Sequence, residues 1–163
     1  MSSLQSLLVQ EYELLDSDPK GELAETTLLI FPPPSEHSLL LASDVIDSQN
    51  FDDFLLVTEE ANWQLAKLGY EGIYQLASFH PQYLFAGESP ESPSHYTNRS
   101  PFPMLHIIRE SSIDRALKTF KQPESIPEVN ITRANTLGSH YFQKQLVESF
   151  AFARAKQQQS NSD

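Results

Sequence analysis

Apolar residues recur at helical spacing from the start of the chain: Leu4, Leu7, Leu8, Leu14 and Leu15. This predicts a helix over 3–17, stopped by Asp18-Pro19-Lys20-Gly21, where proline and glycine break the pattern. Thr26 to Phe31 is a short uncharged run rich in β-formers, which reads as a buried strand. Pro32 to Pro34 then remove three ladder donors in a row. The clearest helix is 50–68. Phe51, Phe54, Leu55, Ala61, Leu65 and Leu68 fall on one face, and Gly69 is a natural terminator. Leu56 and Trp63 lie together on the other side. The helix is therefore expected to be covered twice, the second time by the carboxy-terminal helix or by a second subunit.

Residues 72–80 and 103–109 read as two further strands, with Pro103 at a strand start, where its missing N–H is tolerated. Ser111 followed by Asp114 is a capping-box variant opening a helix with Ile113, Ala116, Leu117 and Phe120 inward. Pro127 suits the first turn of a helix ending near Gly138. A last helix over 139–156 puts Phe142, Leu146, Phe150 and Ala153 on one face. Helices alternating with apolar strands predict an α/β fold: a small three- to four-stranded sheet packed against helices as a two-layer sandwich. So thin a sheet leaves an edge to protect. The expected organisation is one α/β domain over 1–156, with a disordered polar tail over 157–163.

Composition narrows the function classes. The chain has 163 residues, 39% hydrophobic and 20% charged, as an ordinary globular domain does. Acidic residues number 22 against 11 basic ones, a net charge of -11. Such a surface has little to offer a phosphate backbone or an anionic headgroup, so neither nucleic acid nor a membrane is an expected partner. No cysteine is present, which removes disulfides, thiolate metal sites and a cysteine nucleophile. No apolar run is long enough to span a bilayer, and Met1-Ser2-Ser3-Leu4 is unlike a secretory signal, so the expected location is the cytoplasm.

Candidate chemistry concentrates between His80 and Glu110. Pro81 to Phe102 is a connection of a length that is uncommon inside compact domains unless it is functional or disordered. Tyr83, Phe85, Tyr96 and Phe102 can anchor it. His80, at a strand end beside a proline, is a candidate general base or metal ligand, or else the residue that holds a turn. His106, inside an apolar strand, is a second catalytic candidate, with a satisfied core histidine as the simpler reading. Arg99 on the stiffened loop needs a partner: Glu88, Glu91 or Glu110, or an anionic ligand that Tyr96 and Asn98 would help to hold. Arg109 completes the ligand-binding candidates, although alternation puts it on the opposite strand face from His106, and a carboxylate at the strand–helix junction is its simpler partner. His80, His95 and His106 fit no standard metal spacing, so no metal site is assigned, and no cofactor is specified. Gly87-Glu88-Ser89 lacks the strand-to-helix setting of a nucleophile elbow.

The run FHPQYLFAGESPES, followed after three residues by YTNRSPFPMLHIIRESSIDRAL, resembles a bacterial family catalogued as domain of unknown function 1415. The resemblance runs from Thr26 to Leu117 and is sharpest from His80 to Ile113. It implies kinship without an activity to carry over. It also implies an amino-terminal segment with a Cys-Pro-Phe motif and a further strand; the sequence holds no cysteine and is expected to start near the helix that follows that strand.

Two functions are compatible with these residues. In one, a small anionic or polar metabolite is bound, or acted on, in a pocket under the 81–102 loop, with His80 as the acid–base group. In the other, the protein is a non-catalytic interaction or self-associating protein. The loop motif is then a structural latch, and Leu56 and Trp63 form a homodimer contact.

Overall fold

A computed structural model describes residues 3–31 and 48–160, with side chains within 4–31 and 48–149. The prolines expected to end the first strand, and the side chains of Phe150 and Ala153, lie outside the described residues. The chain divides into two compact units. One comprises Met1–Phe79 with Phe102–Pro123, the other His80–Pro101 with Glu124–Asp163.

The first unit carries the sheet. Its elements are α1 (Ser3–Ser17), β1 (Thr26–Ile30), α2 (Phe51–Lys67), β2 (Tyr74–Phe79), β3 (Met104–Arg109) and α3 (Glu110–Leu117). The three strands are ordered β1-β3-β2 and every pair is antiparallel. In register, His106 lies opposite Leu28 on one side and Ala77 on the other. Alternation along β3 sends Leu105 and Ile107 into the core, where Leu29 joins them. The helices supply the facing layer: Leu8, Tyr12 and Leu15 of α1, and Phe54, Val57, Ala61 and Leu65 of α2. The small sheet packed against helices is thus as the sequence predicts.

Local chemistry explains the ends of α2. Asn50 Oδ1 accepts from the backbone N–H groups of Asp52 and Asp53, satisfying donors that the first turn cannot. Both aspartates sit at the positive end of the helix dipole, and Lys67 at the negative end. Gly69 follows with φ 79°, the left-handed conformation that lets the chain leave the helix.

Two helix-face expectations need correction. The buried stripe of α2 takes Val57 and Gln64, while Leu55 and Leu68 stay exposed. Leu56 and Trp63 are 52% and 54% exposed. Lys67 Nζ sits 4.5 Å from the Trp63 ring centroid. In α3 no residue is buried and Phe120 is exposed. Nor does Ser111 cap that helix: β3 passes directly into it, so Arg109 takes the cap position, with no side-chain cap bond.

The second unit joins the long loop to α4 (Ile126–Ser160). The loop contains a 3-10 turn, Pro93–Thr97, with Pro93 in its first positions and the Ser92 hydroxyl accepting from Ser94 N–H. α4 is interrupted at Gly138, with φ 75° and ψ 159°, a conformation essentially restricted to glycine. The break falls where the sequence ends one helix and begins the next. Just beyond it, Ser139 Oγ donates to the Glu91 carbonyl at 3.4 Å, and Phe142 stacks on Tyr96 with centroids 5.2 Å apart.

Candidate functional site

The loop is held chiefly by its own polar groups. Its ends are drawn together by the His80 backbone N–H, which donates to the Asn98 carbonyl at 3.1 Å. The fully buried His80 ring accepts the Gln82 backbone N–H at Nδ1, 3.0 Å away, and the His80 carbonyl accepts from Tyr83. His95, also fully buried, accepts the Phe85 N–H at Nδ1 (3.1 Å), and its Nε2 lies 2.8 Å from the Ser89 carbonyl. Since Nδ1 is the acceptor, the ring proton belongs on Nε2, where it is donated to Ser89. Tyr83, Phe85 and His95 pack ring against ring, with centroids 5.0 and 6.0 Å apart. A backbone of this length has many polar groups to satisfy away from regular structure, and the two imidazoles take up the N–H groups of Gln82 and Phe85 and the carbonyl of Ser89.

Arg99 stands apart from this latch. Its Nε donates to the Tyr83 carbonyl at 3.2 Å, and its guanidinium carbon sits 4.6 Å from the Tyr96 ring centroid. That fixes the side chain from two directions while it stays half-buried. Among the described residues it makes no ion pair, so Glu88, Glu91 and Glu110 are not the partners expected for it. Glu91 instead accepts from the Ser89 hydroxyl, which holds its carboxyl below the usual carboxylate range. Asn98 belongs to the latch as well: its N–H donates to the His95 carbonyl and its Oδ1 accepts from Thr97.

Beside the Tyr96–Phe142 stack is a cleft of about 280 Å³. Thr97 of the loop lines it, with Asn130, Arg133, Leu137, Tyr141 and Phe142 of α4. Ala134, buried, adds to its apolar wall. Arg133 also lines an adjoining depression with Glu128 and Val129. Like Arg99, Arg133 has no ion pair among the described residues. The α4 residues were missed in the sequence, although a signal is there. Asn130, Arg133, Ala134 and Leu137, all before the break at Gly138, follow one helical stripe, mixed in polarity and therefore invisible to a purely apolar pattern.

The other two candidates belong to the first unit. Arg109 is 6% exposed. Its Nη2 donates to the carbonyls of Leu15 (2.6 Å), Asp18 (2.8 Å) and Ala24 (3.2 Å), and the guanidinium lies over Tyr74. Carbonyls at the end of α1 and in the turn after it thus replace the carboxylate expected as its partner. Asp18 faces its own turn, accepting from Glu22, Leu23 and Ala24 N–H groups. Those bonds, from Ala24 and Leu23 first, hold its carboxyl below the ordinary value. His106 Nε2 is 2.5 Å from the Thr26 hydroxyl, which gives its one proton to the Ile107 carbonyl. His106 is therefore the donor in that pair, and burial pushes its pKa down. His80, Tyr96, Asn98 and Arg99 share one unit, while His106 and Arg109 share the other. Among the described residues no three histidine or acidic side chains are grouped so as to hold a metal ion, and no helix is long and apolar enough to cross a membrane.

Fold and loop together define a small α/β protein whose second unit is an ordered loop joined to a long interrupted helix. The chain belongs to the family described as Protein of unknown function (DUF1415), whose model matches residues 1–144. That match extends beyond Thr26 to Leu117 at both ends. No curated protein and no solved structure matches the chain.

Proposed function

We propose that the protein binds a small anionic ligand in the cleft between the loop and α4. The carrying observation is that Arg99 and Arg133, both in the second unit, lack carboxylate partners among the described residues of a chain with twice as many acidic as basic side chains. In such a chain a guanidinium finds a carboxylate readily, so two without one leave donors in place for an external anion. Arg133 lines the cleft itself, while Arg99, fixed on Tyr96, adds positive charge beside the stack that borders it. The latch supplies rigidity, so little ordering accompanies binding. His80 serves the turn, its ring buried and accepting a backbone bond, and no proton transfer is assigned to it. The location stays the cytoplasm and the origin bacterial, as the composition and the resemblance imply.

The test is a melting-temperature screen of the whole chain against pooled carboxylates and phosphorylated metabolites. A ligand at about a hundredfold its Kd should add about 2.7 kcal/mol of stability. Arg99→Gln and Arg133→Gln should each reduce the shift. If no anion moves the transition, or neither substitution changes the response, the reading fails.

A second reading has one observation in its favour. Leu56 and Trp63 share a side of α2 and are each more than half exposed, as a homodimer contact would leave them in a single copy. Sedimentation should then show a concentration-dependent dimer that Trp63→Lys abolishes. A monomer at every concentration would exclude it.

A further inference from the structure

We infer that the ligand of this cleft is an aromatic monocarboxylate, a proposal that rests on the anion-binding reading and narrows it. The argument starts from the lining. Ala134, Leu137, Tyr141 and Phe142 give the cleft an apolar wall, and Phe142 is held in place by its stack on Tyr96. The interplanar angle of that stack is 12°, so the ring is already set as a flat surface. A second flat ring is the shape such a surface receives best.

Charge sets the other end of the ligand. Arg133 is the sole cationic side chain in the described lining, and Asn130, three residues before it on α4, supplies an amide. One planar guanidinium matches one carboxylate as a two-pronged pair. A phosphate dianion would call for more positive charge than this, in a chain of net charge -11. Size points the same way: about 280 Å³ falls just below the usual span of ligand sites, about 300 to 1,000 Å³. That suits one ring on a short chain.

The probes are phenylacetate, acetate, benzyl alcohol and inorganic phosphate, titrated into the full chain while the methyl resonances of Thr97, Ala134 and Leu137 are followed. Phenylacetate should move all three and bind at least about tenfold more tightly than acetate or benzyl alcohol, the span of one charge-assisted hydrogen bond or one buried ring. Arg133→Gln should bring phenylacetate down to the level of benzyl alcohol. Leu137→Asn, at an exposed position where folding is tolerant, should bring it toward acetate. If acetate or phosphate binds as tightly as phenylacetate and responds to Arg133→Gln, the anion site stands and its aromatic preference is overturned. If none of the four probes binds, both the site and its preference fall.

Discussion

Arg109 shows how a charged side chain can be buried with no ion pair among the described residues. Its guanidinium gathers carbonyls from the end of α1 and from the turn that follows, so one side chain at the end of β3 fixes where that turn lies. Arg109→Met keeps bulk and removes every donor, leaving those carbonyls short of partners. The expected loss is about 3 kcal/mol, read from urea denaturation midpoints. A loss within experimental error of zero would show the clamp to be incidental. His106 makes a prediction about pH. Its pKa in the folded protein lies below the ordinary 6.5, so the unfolded chain binds the proton more readily. Stability from this residue is complete above about pH 7.5, declines as pH falls through about 6.5, and levels off below the folded value. His106→Gln, compared with the parent across that range, should remove this component. A parallel pair of curves would contradict it.

At the scale of elements, Gly138 is the sharpest test. A Cβ added there would meet nothing within 4 Å, so space is not the constraint. The backbone is: φ 75° with ψ 159° is strained for any side chain. Gly138→Ala should destabilise by about 1–3 kcal/mol in thermal or chemical unfolding. If the variant is instead as stable as the parent, the interruption of α4 is not a fixed feature. Most elements were legible because their signals are local. Leucines at helical spacing gave α1, Gly69 marked the end of α2, and an uncharged β-rich run gave β1, although it read as a buried strand and Leu29 is its one buried residue. The errors share a cause. Which face of α2 is buried depends on where the sheet lies, and periodicity alone did not prefer Val57 and Gln64 to Leu55 and Leu68. Ser111 looked like a cap because its spacing from Asp114 is right, yet β3 enters α3 without a break. In the loop, composition exposed an ordered segment rich in polar groups. It could not reveal that His80 and His95 bond to backbone amides while Arg99 pairs with no carboxylate among the described residues, since those outcomes depend on the path of the backbone. The cleft-lining stripe of α4 was hidden because it mixes amide, guanidinium and apolar groups.

The whole molecule carries a charge of -11, and the ion pairs among its described residues, Arg115 with Glu25 and Lys144 with Glu148, are both largely exposed. Exposed pairs contribute little, so repulsion among unpaired carboxylates dominates the electrostatics of folding. Raising sodium chloride from about 20 mM to about 200 mM should therefore raise the melting temperature. A fall would mean that attractive pairs outweigh the repulsion. The strand order has a consequence of another kind. β3 lies between β1 and β2, yet it is the last of the three in the chain, so Thr26 must wait for Ile108 and Gln75 for the same residue. While the nascent chain emerges from the ribosome, neither earlier strand has its neighbour. The ladder closes in one late step, after most of the polypeptide has been made. Such long-range closure slows folding and leaves two apolar strands in need of shelter during synthesis.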